Sequence, residues 1–105
     1  MITISYIDYY DELILECVGH AESGPYGCDI ICSALSILCI TVKEYLKKAQ
    51  EEGLISSLRC DVSSGYANIS FRAEKGSEAE KCFEAILSGF RILACAFPDY
   101  IEFDN

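Results

Sequence analysis

Apolar and polar residues alternate along the first twenty positions of the chain, a spacing of two that is typical of β-strands with one buried face. The segments MITISYID (residues 1–8) and LILECVGHA (residues 13–21) each contain such a run, and YYDE between them predicts a turn. The second strand is expected to end at the glycine that precedes His20. Together they predict an N-terminal β-hairpin.

A helix is predicted from near Asp29 to about Glu52, with Gly53 as its stop. The preceding segment ESGPYGC contains two glycines and a proline, so we interpret it as a loop. The first half of the helix, IICSALSILCITV, is apolar around almost its whole circumference. Such a helix is buried on more than one side, which in a small domain indicates a subunit interface.

The order of elements repeats after this helix. Residues 57–63 and 66–73 alternate again, and Ser64-Gly65 between them is a hairpin signal. Apolar residues then recur at helical spacing over residues 75–97.

The second predicted helix has a start signal, since Ser77 and Glu80 have the spacing of a capping box. A short edge strand is predicted at residues 100–103. The order ββαββα favours an α+β fold with two layers, a mostly antiparallel sheet packed with two helices. We expect one domain over residues 1–105.

Composition narrows the classes of function. The formal net charge is −9, which argues against binding to nucleic acids, because a surface that binds them needs a cluster of basic residues. No apolar run is long and clean enough to span a bilayer, and the first residues lack the basic start and apolar stretch of a signal peptide. We therefore expect a cytoplasmic protein with no direct nucleic-acid or membrane partner.

The chain has seven cysteines and one histidine, His20. An odd cysteine count within apolar segments favours reduced thiols over a disulfide scaffold. His20, Cys28 and Cys32 offer three zinc ligands, with Asp29 or Cys17 as a fourth. Structural zinc sites usually pair their ligands in two separate knuckles, and this chain has no second knuckle. We expect no metal and no other cofactor, with a small zinc-binding adaptor as an alternative.

Nucleophilic catalysis by Cys32 and His20 is the second interpretation of these residues. With Asp29 as N-cap, Cys32 lies in the first helical turn, where unpaired amides and the macrodipole stabilise a thiolate. His20 leaves the end of a strand, and the glycine-containing segment between the two residues lets their side chains approach. Asp29 either caps the helix, orients His20, or does both. The simpler interpretations are that Cys32 is an inert core residue and that His20 is an ordinary surface histidine. The placement of both residues beside one loop argues against these interpretations.

The motif around these residues resembles that of the ribosomal-processing cysteine proteases of bacteria. It comprises Gly19, His20 and Ala21, followed by Gly27, Asp29, Ile30, Ile31, Cys32, Ser33, Ala34, Leu35 and Ser36. The length and the ββαββα order also resemble that family along the whole chain. The resemblance implies that His20 and Cys32 form a catalytic dyad, that Asp29 corresponds to the aspartate of the family's motif, and that the protein is a homodimer.

The resemblance also implies a substrate, the N-terminal extension of large-subunit ribosomal protein twenty-seven, cut after an aromatic pair and before a small residue. Amides at the start of the first helix, including that of Cys32, are then expected to stabilise the oxyanion. The segment between the dyad residues is expected to act as a lid and substrate loop, and it consists of Glu22, Ser23, Gly24, Pro25, Tyr26 and Gly27. The alternative is a dimeric module that binds a ribosomal protein without cutting it.

Overall fold

The computed structural model describes residues 1–20, 25–63 and 65–104, with the side chains of the first helix described from residue 30 onward. Five strands and two helices are present in this part of the chain. The strands are β1 (Ile2–Tyr9), β2 (Glu12–Gly19), β3 (Ser56–Ser63), β4 (Tyr66–Arg72) and β5 (Ile101–Asp104), and the helices are α1 (Pro25–Glu51) and α2 (Glu78–Ala96). The predicted α+β fold is confirmed, including the short final strand.

The five strands form one sheet in the order β3-β4-β2-β1-β5. All neighbouring pairs are antiparallel except β1 and β5, which are parallel. The two predicted hairpins, β1–β2 and β3–β4, are joined through β2 and β4, where Val18 pairs with Tyr66. This pairing places the end of β2 beside the turn of the β3–β4 hairpin, and Gly19 N–H donates a hydrogen bond to the Gly65 carbonyl at 2.9 Å.

The core lies between one face of the sheet and the two helices. Alternate residues of the central strands are buried, among them Ile4, Leu15 and Phe71. The helices contribute stripes at helical spacing, and Phe83 of α2 packs edge-on against Phe71 with ring centroids 5.0 Å apart. Burying each such side chain stabilises the fold by about 1.5–3 kcal/mol. Gly89 of α2 lets the helices approach, since an added Cβ would lie 2.8 Å from a methyl group of Leu38.

Helix α1 begins at Pro25, four residues before the predicted start at Asp29. The prediction was wrong because Pro25 was interpreted as a helix breaker. At the first helical position, however, proline is favoured, since its fixed φ suits a helix and its missing N–H would have no partner there. Asp29 is therefore not the N-cap, and residues 25–27 of the expected loop are helical. The predicted end is confirmed, as α1 ends at Glu51 and Gly53, two residues later, adopts a φ of +78°.

Neither helix of the described chain combines the length and the hydropathy needed to cross a membrane. Cys17, Cys39, Cys60, Cys82 and Cys95 are free thiols. Four of them are buried or half-buried, and Cys95 is exposed. Cys95 directly follows Ala94, which is on the buried face of α2, and its own side chain lies outside that face.

The start of α2 carries the predicted cap. Ser77 Oγ accepts a hydrogen bond from Glu80 N–H at 3.3 Å. The Glu80 carboxylate accepts from Gly76 N–H at 2.9 Å, one residue earlier than the reciprocal bond of an ideal capping box. Glu80 is buried, and burying a carboxylate without a hydrogen-bond partner costs free energy. The bond from Gly76 N–H reduces that cost.

We expect Ser77→Ala to lower the free energy of unfolding by about 1 kcal/mol, because one N–H of the first helical turn loses its acceptor. In a domain of this size the melting temperature should fall by about 5 °C. Ser88→Ala on the same helix is the matched control, since Ser88 Oγ only donates to a carbonyl that is already bonded within the helix. Urea denaturation measures both variants, and equal losses of stability would contradict the cap.

Candidate active site

His20 directly follows β2, and its backbone is tied to two neighbouring segments. The N-terminal ammonium group donates to the His20 carbonyl at 3.1 Å. The preceding residue, Gly19, bonds the hairpin turn at Gly65 and has a φ of +115°. A Cβ at Gly19 would collide with the carbonyl oxygen of Met1. The main chain that carries His20 is therefore fixed, while the side chain is exposed.

Cys32 is the eighth residue of α1 and is half-buried. Its backbone N–H lies inside the helix, where amides bond the carbonyl four residues earlier. The expectation that this amide belongs to the first helical turn, and that it helps to stabilise an oxyanion, is therefore wrong for this structure. Cys32 also lies beyond the first turn of α1, the part of a helix within which the effect of the macrodipole is concentrated.

One groove brings the two predicted residues together. It has a volume of about 370 Å³ and lies between α1 and the β3–β4 hairpin, with His20 and Cys32 both in its lining. The helix wall consists of Cys32, Leu35, Ser36, Cys39, Ile40 and Lys43, and the facing wall of Val62, Ser63, Gly65, Tyr66 and Ala67. The lining is completed by Ile2, Cys17 and Gly19. We call this cavity the groove.

The length and character of the groove suit an extended, largely apolar peptide. Cys32 and Lys43 lie eleven residues apart on one helix face, or about 16 Å at ~1.5 Å per residue. An extended chain covers that distance in about five residues. Among the described residues that line the groove, Lys43 is the one with a permanent charge, and most of the others are apolar. A cysteine and a histidine at such a groove can perform acyl transfer on a bound peptide.

Comparison with protein families agrees with this chemistry. The family model described as cysteine protease Prp matches residues 1–102. The chain belongs to the cysteine protease Prp family. It is therefore a cysteine protease, a hydrolase that cuts peptide bonds. A search of the curated proteins found no match.

The fold of the protease is shared by solved structures. SMU.848 from Streptococcus mutans is 28% identical and superposes with a TM-score of 0.70, over 99% of this chain and 92% of the other. The ribosomal processing protease Prp of S. aureus, solved with a covalently linked product peptide, is 22% identical with a TM-score of 0.72, over 99% and 98% of the two chains. The same S. aureus protease with a substrate peptide gives 18% identity and a TM-score of 0.68, again over 99% and 98%.

Two further cysteines line the groove of the protease and form a pair. The hydrogen bond to Cys39 and the burial of the side chain raise the pKa of the Cys17 thiol. At neutral pH Cys17 is therefore protonated, and a protonated thiol is a poor nucleophile. The same hydrogen bond lowers the pKa of the Cys39 thiol, which acts as its acceptor. The assignment of Cys32 as nucleophile therefore stays a prediction that rests on the motif around it.

The remaining predicted site residues lie outside the described side chains. Glu22, Ser23 and Gly24 fall in the undescribed segment, and Asp29 is placed only as a backbone position within α1. Its role in orienting His20 stays a prediction. Among the described residues, no group of three or more His, Cys, Asp or Glu side chains is placed to hold a metal ion. The zinc alternative needs Cys28 or Asp29, whose side chains are not among those described.

The facing wall of the groove was missed by the sequence analysis. Ser64-Gly65 was predicted as a hairpin turn, but nothing local to it indicates that the turn lies beside His20. The contact depends on the pairing of β2 with β4. Lys43 was likewise not among the predicted site residues, although its spacing from Cys32 puts both on one helix face.

Proposed function

We propose that the protein is a cytoplasmic endopeptidase that removes the N-terminal extension of a ribosomal protein precursor, with Cys32 as nucleophile and His20 as general base. The observation that carries this proposal is the placement of both residues in one peptide-sized groove of a cysteine protease. The substrate class is supported by the motif and by the S. aureus ribosomal processing protease, which has the same fold.

In the proposed reaction, His20 accepts the proton of the Cys32 thiol, and the sulfur attacks the scissile carbonyl carbon. The tetrahedral intermediate collapses to a thioester, and His20 gives its proton to the departing amine. Water then attacks the thioester and loses a proton to His20. The C–S bond breaks, and the departing sulfur takes that proton from His20, which restores the thiol. The chain has no other imidazole, so all of these proton transfers depend on His20.

The groove supports specificity for aromatic residues before the cleaved bond. Leu35, Ile40, Val62 and Tyr66 present apolar surface along the path from Cys32. Burying an aromatic side chain there adds contact area and, against Tyr66, ring stacking worth about 0.5–1.5 kcal/mol. The test uses two precursor peptides that differ only in carrying Phe-Phe or Ala-Ala before the small residue. Mass spectrometry should find cleavage of the first at the predicted bond, and equal rates for both would contradict the proposal.

The reactivity of the thiol gives a prediction that needs no substrate. If His20 accepts the proton of Cys32, His20→Ala should slow alkylation of Cys32 by iodoacetamide at neutral pH about tenfold. Cys95 is exposed and outside the groove, so it serves as an internal reference. Peptide mapping by mass spectrometry gives the ratio of the two labelling rates. An unchanged ratio in the variant would show that His20 does not activate Cys32.

The proposal includes a homodimer formed through the exposed apolar face of α1. Ile30 and Ile37 are 62% and 60% exposed and lie two turns apart on the helix. Apolar surface of this kind on a small domain is typical of an interaction site. Leu38 is unsuitable for a test, since it packs against α2 at Gly89. Ile40 is also a poor choice because it lines the groove.

We therefore expect Ile37→Glu to weaken dimerisation at least about thirtyfold, because a charge in the centre of an apolar interface costs about 2 kcal/mol or more. Ile92→Glu is the matched control, since Ile92 is 69% exposed on α2. Sedimentation equilibrium measures the mass of each protein. A wild-type protein that sediments at 11.6 kDa at micromolar concentration would contradict the dimer.

The roles of Asp29 and of the segment 22–27 stay predictions of the same proposal. Asp29→Asn removes a carboxylate while preserving size and polarity. If Asp29 orients His20, this variant should lose cleavage activity and keep its melting temperature.

A further inference from the structure

Gly65, in the turn between β3 and β4, lies directly against the imidazole of His20. A Cβ added at Gly65 would collide with Nε2 of the ring and would lie 2.6 Å from Cε1 and 3.1 Å from Cδ2. Ordinary contacts between such atoms are about 3.5–4.0 Å. The ring can therefore occupy its position only because residue 65 has no side chain.

Gly65 is itself held in place by the strand that carries His20. Its carbonyl accepts the hydrogen bond from Gly19 N–H at 2.9 Å. Ser63 and Tyr66 pair on either side of the turn, and the φ of Gly65 is +73°, a conformation that residues with a side chain adopt rarely. The backbone of residue 65 thus keeps a constant position relative to the backbone of residue 20.

We propose that Gly65 is a positioning residue for His20, whose bare backbone limits the orientations of the imidazole and directs it towards Cys32 across the groove. An exposed histidine side chain would otherwise sample several rotamers. The inference rests on the proposed function, because it takes His20 to be the general base. It goes further in assigning a role to Gly65 of the hairpin turn, a residue that has no side chain.

The size of the expected effect follows from the distances. The distances between the added Cβ and the ring atoms of His20 are about 1 Å shorter than normal contacts. To accept a Cβ at residue 65, the ring must therefore move by about 1 Å or rotate away. A misplacement of about 1 Å at a reacting group can reduce the rate about a hundredfold. Substrate binding along the rest of the groove should change little, because its other lining residues stay in place.

The test compares Gly65→Ala with Gly53→Ala and Gly76→Ala. These control glycines have φ values of +78° and +77°, and a Cβ at either would meet nothing within 4 Å. All three substitutions impose similar backbone strain, and only the first touches His20. We expect Gly65→Ala to lower kcat about a hundredfold with KM changed less than about threefold, and the controls to keep the wild-type kcat.

The NMR signals of the His20 ring provide a second measurement that does not depend on cleavage. Because the chain has one histidine, its ring gives a single resolved set of signals. Gly65→Ala should shift them, and the control variants should not. If Gly65→Ala is too unstable to study, Gly65→Asn adds the same Cβ with a residue that tolerates positive φ better.

Wild-type ring signals together with a wild-type kcat in Gly65→Ala or Gly65→Asn would overturn the inference. Displaced ring signals with an unchanged kcat would instead overturn the role of His20 as the base, and with it the proposed mechanism. The two failures are therefore distinguishable.

Discussion

Cys32→Ala is expected to abolish cleavage of the precursor peptide, with a loss of at least about 10⁴-fold in kcat, since the attacking sulfur is removed. The fold should persist, because Cys32 is half-buried and alanine is the best helix former. Peptide binding should also persist, as the groove loses one small side chain. Mass spectrometry measures cleavage, and fluorescence anisotropy of a labelled peptide measures binding.

Cys39→Ala is the matched control for this experiment. Cys39 lies on the same face of α1, two turns after Cys32, and is another half-buried cysteine that lines the groove. Its removal should change kcat less than about tenfold, in line with a packing role. If Cys32→Ala trimmed the precursor at the wild-type rate, the assignment of the nucleophile would be wrong. Binding without cleavage by the wild-type protein would favour the non-catalytic binding module.

His20→Ala should reduce kcat by about 10³–10⁴-fold, because no other imidazole exists in the chain to accept the thiol proton. The side chain of His20 is exposed, so its removal should leave the melting temperature within a few degrees. Added imidazole should restore part of the activity by occupying the vacated space beside Gly65. The measurement is kcat at several imidazole concentrations.

His20→Gln is the control for this second experiment, since it keeps a polar side chain and cannot act as a base at neutral pH. Wild-type cleavage by both His20 variants would contradict the dyad. Activity lost in His20→Ala and not restored by imidazole, together with a much lower melting temperature, would point to a structural role instead.

Most of the fold followed from local patterns. Strands β1, β2 and β4 have period-two spacing with one buried face, and in β3 the alternate residues Leu58 and Cys60 are half-buried. A spacing of two is specific to strands. Ser77 and Gly53 marked helix ends because caps and stops depend on one or two residues. The start of α1 was misjudged because proline has opposite effects at the first position and in the interior of a helix.

The candidate site was only partly predictable. The motif and the order of elements indicated that His20 and Cys32 act together, and both line the groove. The facing wall of the groove depends on the register of β2 against β4, where Val18 pairs with Tyr66 far away in the sequence. Alternation identifies the buried face of a strand but carries no information on which distant strand it joins. The contact between Gly65 and His20 therefore required the structure.

The parallel pairing of β1 with β5 has a consequence for the order of assembly. Ile2 pairs with Ile101 and also lines the groove. The β1–β2 hairpin is local and can form early during synthesis, but its outer edge has no partner until residues 101–104 have been made. An open edge of this kind invites pairing with other chains. A nascent protease thus cannot complete the sheet on the β1 side, beside the groove residue Ile2, before residues 101–104 have been translated.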